Sequence, residues 1–222
     1  MKKFSVITLF PESIQAFSES SMLKRAGVAK LLRIDAINPR DYTTDKHHKT
    51  DDRPYGGGPG MVMKAEPIIR AVESVIKPTS KKLQANKLTS RVLIMSPRGK
   101  EFTNTMAKNF AKKYDHLVLI AGHYEGIDAR VKKILKAEEI STGPYVLTGG
   151  ELPALTIIDA VARQIPGVLG TGESLEETRT ASGETYTRPE VFVHRKKKYA
   201  VPKVLLSGNH ADIESWRAKR AK

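Results

Sequence analysis

Ser141 to Gly170 reads STGPYVLTGGELPALTIIDAVARQIPGVLG, a glycine- and proline-punctuated loop that runs straight into an apolar segment and leaves through a second tight turn. Gly143, Gly149 and Gly150 permit close backbone approach or positive φ, while Pro144 and Pro153 stiffen the connections. A loop of this kind is shaped in advance and presents its backbone to a ligand. Leu152, Leu155, Ile158 and Val161 then recur at helical spacing up to Ile165-Pro166-Gly167, so a buried helix follows the loop.

Upstream, Arg91 to Ser96 and His116 to Ala121 are short apolar runs flanked by turns, with helix-like spacing from Thr103 to Lys113 between them. That alternation is the signature of parallel strands joined by crossovers, and it makes the core α/β. Phe4 to Phe10 and Leu31 to Ile37 read as two further strands, separated by helix-compatible residues to about Ala26, and Ala65 to Ile76 has helical spacing. Three turns therefore fall at the carboxyl ends of parallel strands: Ser96-Pro97-Arg98-Gly99, Gly122 to Gly126, and Ser141 to Gly150. Ligands of open α/β sheets gather at that edge. There, backbone amides can read an adenine edge, Tyr145 and Leu147 can sandwich its ring, and Glu125 can accept from ribose hydroxyls or an amino group.

The totals narrow the function. The chain has 222 residues, 38 Lys and Arg against 24 Asp and Glu, and a formal net charge of +14. A domain of typical size plus an appendage fits this length, and the charge favours a polyanionic partner such as nucleic acid or an anionic membrane. With no cysteine, thiolate catalysis, disulfides and cysteine-ligated zinc are excluded. No run is long and apolar enough to span a bilayer, and the N-terminus lacks a signal-peptide core, so a soluble cytoplasmic protein is expected. Rossmann and phosphate-loop fingerprints are both missing. His47-His48-Lys49 with Asp51 and Asp52 lacks metal-ligand spacing, and the carboxylates are compatible with a magnesium ion without reading one out.

DDRPYGGGPGMVM (Asp51 to Met63), MSPRGK (Met95 to Lys100), AGHYEGIDARV (Ala121 to Val131), the Ser141 to Gly170 block, TRPEV (Thr187 to Val191) and VPKVLLSGNHADIESWR (Val201 to Arg217) together resemble the bacterial tRNA guanine-N1 methyltransferases, the TrmD family. The order and spacing match over nearly the whole chain. The resemblance implies a SPOUT-class α/β fold, a trefoil-knotted parallel sheet flanked by helices, with a small helical C-terminal segment. It implies a knotted methyltransferase domain over residues 1–169, a flexible linker over 170–186 and a shortened C-terminal tRNA-binding domain over 187–222.

The same resemblance implies S-adenosylmethionine as cofactor, contacted by Gly122, Thr142, Gly143, Pro144, Tyr145, Val146 and Leu147, with Ser96, Tyr124, Glu125, Ser141, Gly149 and Gly150 close by. The implied substrate is tRNA with a guanosine immediately 3′ of the anticodon, and the implied assembly is a homodimer with shared sites. Guanine N1 carries a proton at neutral pH, so methylation needs a base and a cation or donor for charge building on O6. Arg163 matches the family's catalytic arginine; read from its position alone it is a helix-end arginine pairing with carbonyls. Thr178 falls where the family carries its aspartate base, and threonine cannot serve. Glu177 is the expected base, with Glu176 or another group as alternatives.

Asp52, Arg53 and Tyr55 are expected to face the anticodon loop, and Arg195, Lys196, Lys197 and Lys198 to take phosphates. Pro144 replaces an acidic residue common in the family, and His123 an arginine. Two other functions remain compatible with the residues: a knotted RNA methyltransferase with a different target atom, and a noncatalytic RNA-binding relative.

Overall fold

The structure, a computed structural model, describes residues 1–76, 89–169 and 184–220. The chain divides into two compact units, Met1–Leu169 and Gly170–Lys222. Glu176, Glu177 and Thr178, and most of the expected linker, lie outside the described residues.

The first unit is built on a five-stranded sheet of β1 (Lys2–Ile7), β2 (Leu32–Ile37), β5 (Ser90–Glu101), β6 (His116–Ile120) and β7 (Glu138–Ser141). The strands lie in the order β2-β1-β6-β5-β7, and every pairing is parallel. Around them lie α1 (Pro11–Ser18), α2 (Ser21–Val28), α3 (Ala65–Ile76), α4 (Asn104–Lys113), α5 (Arg130–Leu135) and α6 (Glu151–Ala162). A short ribbon of β3 (Asp51–Asp52) and β4 (Val62–Met63) closes the loop rich in glycine.

Strand alternation sends side chains to two cores, because successive residues of a strand point to opposite faces. Phe4, Val6, Leu93, Leu117 and Leu119 pack with Ile14, Leu23, Phe110, Ile157 and Ile158 of α1, α2, α4 and α6. Ile7, Val92, Ile94, Val118 and Ile120 pack with Ile68, Ala71 and Val72 of α3 and Val131 of α5. All five residues of β6 are buried, which places it at the centre. Thr103 caps α4 by accepting from the Met106 amide at 3.3 Å, so the helix begins one residue later than its spacing suggests.

Several elements differ from the sequence expectation, among them the C-terminal segment, expected to be helical, which opens with a β-hairpin, and β1, which ends at Ile7 rather than Phe10. The segment up to Ala26 is two helices broken at Glu19-Ser20. β5 does not end at Ser96: both Met95 and Lys100 register with Ile140, so Ser96–Gly99 is an excursion from a strand that resumes. Leu152 is 63 % exposed although it shares the helical spacing of Leu155 and Ile158. Steps of three drift around a helix of 3.6 residues per turn, and the buried face is instead Ala154, Leu155, Ile157, Ile158, Val161 and Ala162.

His116 enters this core with its Nε2 2.9 Å from Ser5 Oγ. Burial, aided by the Lys3 charge, lowers its pKa from 6.5 to about 4, while Asp35 opposes the shift. The unfolded chain therefore binds a proton below pH 6.5 that the folded chain refuses. The contribution of His116 is complete above that pH and is lost as pH falls toward about 4, on the order of 2 kcal/mol in all. The expected result is a steep drop in Tm across that window for the wild type and a flatter one for His116→Gln, read by calorimetry; parallel profiles would contradict it.

The second unit holds the hairpin of β8 (Val191–His194) and β9 (Lys197–Ala200), then α7 (Lys203–Leu206) and α8 (His210–Ala218). Arg195 and Lys196 form the hairpin turn, both at positive φ. In α8, Ile213 and Trp216 are half-buried, and the Arg220 guanidinium lies 4.6 Å from the indole ring centroid.

Candidate functional site

The three turns expected at the carboxyl edge of the sheet converge on one cleft of about 820 Å3, a size typical of small-molecule sites. The Ser96–Gly99 excursion, the turn Gly122–Gly126 and the loop Ser141–Gly150 form its walls. Of the thirteen residues expected at the cofactor, all line the cleft except Pro144. That proline sits within the loop without lining the cleft.

Backbone proximity explains the glycines here. At Gly150, a Cβ would lie 2.6 Å from Ala121 Cα and 2.8 Å from Gly122 N, and the Gly150 amide donates to the Gly122 carbonyl at 2.9 Å. The start of α6 can pass the end of β6 only without a side chain. The loop is also tied internally. Ser141 Oγ donates to the Gly143 carbonyl at 2.9 Å and accepts from the Gly143 amide at 3.2 Å, and the Tyr145 hydroxyl donates to the Thr142 carbonyl at 3.1 Å.

The walls combine apolar surface from Ile94, Ile127, Leu147 and Pro153 with the carboxylates of Glu125, Asp128 and Glu139. Lys132 pairs with Glu139 at 2.5 Å, and a multidentate contact from Arg130 holds the Asp128 carboxyl below the usual range. Backbone polar groups, aromatic and aliphatic faces and carboxylates suit a ligand with an adenine ring, ribose hydroxyls and cationic centres. S-adenosylmethionine has that chemistry, and the residues present fit it.

The loop expected on the substrate side is tied to the turn Gly122–Gly126 that lines the cleft. The Met63 amide donates to the Gly126 carbonyl at 2.9 Å, the Glu125 amide to the Met61 carbonyl at 3.0 Å, and Gly60 passes so near Glu125 that a Cβ would lie 2.6 Å from its Cγ. Asp52 stands on β3, 3.8 Å from Lys64 Nζ, and its Oδ1 accepts from the Arg53 amide. Tyr55 is fully exposed. In the second unit Arg195 and Lys196 occupy the hairpin turn and Lys197 and Lys198 follow on β9, with Lys197 Nζ 5.4 Å from the Tyr199 ring centroid.

Arg163 does not join the cleft lining. It caps the C-terminal end of α6, its amide donating to the Asp159 carbonyl at 3.0 Å, whereas Glu151 at the other end of that helix abuts the cleft. Twelve residues at 1.5 Å each separate the two ends by about 18 Å. Sequence reasoning missed Glu151, Thr8 and Arg98 as neighbours of the site; Arg98 and Glu151 stood inside quoted motifs, whereas no local signal marked Thr8. Among the described residues, no group of three metal-ligating side chains is placed to hold a metal ion, and no helix is long and apolar enough to cross a membrane.

Sheet topology and cleft define an open-sheet α/β protein with a cleft of small-molecule size at the carboxyl edge of the strands. The family model described as tRNA (Guanine-1)-methyltransferase TrmD matches residues 1–222. Relatives named tRNA (guanine-N(1)-)-methyltransferase from Dehalococcoides mccartyi, Carboxydothermus hydrogenoformans and Pseudomonas putida are each 47% identical over 99% of this chain, which covers 85%, 82% and 84% of their lengths. The chain belongs to the TrmD family of tRNA methyltransferases.

Proposed function

We propose that this protein is a cytoplasmic enzyme that methylates N1 of the guanosine 3′ of the anticodon in tRNA, using S-adenosylmethionine held in the cleft of Gly122–Gly126 and Ser141–Gly150. One observation carries the reading: the motif turns of a chain matched over its full length by this family meet at a single preformed cleft. Residues 1–169 would bind the donor and residues 187–222 would grip tRNA, joined by the segment 170–186.

S-adenosylmethionine, when bound, supplies an electrophilic methyl group on a sulfonium. The chain must then free the N1 lone pair and hold the charge that moves to O6. We assign proton removal to Glu177 and charge stabilisation to Arg163. Asp52, Arg53 and Tyr55 would engage the unstacked bases of the anticodon loop, and Arg195 to Lys198 the phosphates.

The position of Arg163 favours a homodimer. A side chain about 18 Å down α6 from its own cleft cannot reach a guanine seated there, so Arg163 would serve the cleft of a second copy. The exposed outer parts of Tyr145, Val146 and Leu147 at the cleft rim, with the exposed Leu152 on α6, supply apolar surface for such an interface.

Transcripts of one tRNA, differing only in guanosine or adenosine 3′ of the anticodon, test the target with a methyl-labelled donor and with magnesium varied. Label on the guanosine transcript alone is expected. Equal labelling of both, or of neither, would contradict the assignment.

A further inference from the structure

The exit of β6 holds a buried polar cluster that the proposed chemistry does not use. Glu151, the first residue of α6, is 8 % exposed, and both carboxylate oxygens are engaged. Thr8 Oγ1 donates to Oε1 at 2.6 Å, and His123 Nε2 lies 2.8 Å from Oε2. Thr8 Oγ1 also accepts from the Phe10 amide at 2.9 Å, and the Phe10 ring lies 4.9 Å from the imidazole. The end of β1, the turn after β6 and the start of α6 are thus tied together at one carboxylate. A carboxylate this buried persists only with such partners.

The cluster borders the cleft. His123, Gly149 and Gly150 all line it, and the cluster dictates the glycine at 149: a Cβ there would lie 2.3 Å from His123 Cε1 and 2.5 Å from Glu151 Oε2. The His123 backbone is held as well, its amide 3.2 Å from Met63 Sδ. Tyr124 follows at φ 59°, a left-handed conformation that a tyrosine keeps only when its surroundings impose it. Its ring stands edge-on to the imidazole at 6.2 Å and forms part of the cleft wall.

We propose that His123, clamped by the buried Glu151–Thr8 pair, is a positioning residue for methyl-donor binding. It holds Gly122–Gly126 and the Gly149–Gly150 passage at the separation the donor occupies, and it keeps Tyr124 turned into the wall. The inference rests on the cleft being the donor site. Removing the imidazole leaves Glu151 Oε2 without its donor and lets the turn relax. Glutamine at the same position carries an N–H at a reach similar to that of Nε2 and can restore the tether.

The test combines titration calorimetry with S-adenosylhomocysteine and steady-state kinetics with S-adenosylmethionine and tRNA. His123→Ala is expected to weaken donor-side affinity and raise the donor KM by about 10- to 100-fold, the scale of one charge-assisted hydrogen bond. The tRNA KM should hold, and kcat at saturation should fall less than about 3-fold. His123→Gln should return affinity to within about 3-fold of wild type. Unchanged affinity in His123→Ala overturns the proposal, and so does equal weakening in both variants. If the unsubstituted protein does not bind S-adenosylhomocysteine, the donor-site reading itself fails.

Discussion

Gly150→Ala is expected to cost about 3 kcal/mol of stability and to abolish measurable donor binding. The added methyl would sit 2.6 Å from Ala121 Cα and 2.8 Å from Gly122 N. Both obstacles are backbone, so no side chain can swing aside, and relief requires α6 to move off the end of β6. That movement breaks the Gly150 amide bond to the Gly122 carbonyl. It also pulls Glu151 from Thr8 and His123 and opens the cleft at its base. At about 2–4 °C per kcal/mol for a chain of this size, Tm should fall roughly 6–12 °C. Wild-type melting with wild-type affinity would show that the passage is looser than its geometry.

Arg163→Ala is expected to lower kcat by about 10²- to 10³-fold, the usual scale for one donor to a developing oxyanion. Affinity for S-adenosylhomocysteine should stay unchanged, because Arg163 lies outside the lining of its own cleft. The shared-site arrangement adds a sharper expectation. Gly122→Val fills the cleft floor of one chain, where a Cβ meets only the Ile127 side chain at 3.1 Å. Mixed dimers of the two variants should regain activity that neither parent has, since one intact cleft then faces one intact Arg163. Failure to complement, with mixed dimers confirmed by mass, would put Arg163 and the cleft in separate functions.

The parts of the fold visible in the sequence are those where burial imposes a period. β6 is apolar from Leu117 to Ile120 because both faces are covered, and α3 and α4 show their stripes plainly. β7 carries only Ile140 as a large apolar residue in Glu-Glu-Ile-Ser, because it is an edge strand whose Glu138 pairs with Arg91 at 2.5 Å. The β8–β9 hairpin was hidden by its turn. Two-residue hairpins with positive φ at both positions favour Asn and Gly, and this one uses Arg195-Lys196 inside a basic run. Ser96–Gly99 reads as the end of a strand, and only its partner Ile140 reveals that β5 resumes.

The cleft was legible for a related reason: backbone that must pass close to other backbone is written in glycine and proline. Its supports were not. Thr8 and Glu151 are 143 residues apart, and nothing local to either announces a shared carboxylate. The separation of Arg163 from its own cleft follows from helix length, and becomes visible only once both ends of α6 are placed.

The most direct test is to let the protein act on tRNA with methyl-labelled S-adenosylmethionine, digest the product to nucleosides and identify the labelled species by mass spectrometry. N1-methylguanosine as the labelled nucleoside is the predicted result. Label on a ribose or another base, or no label although donor and tRNA both bind, would contradict it.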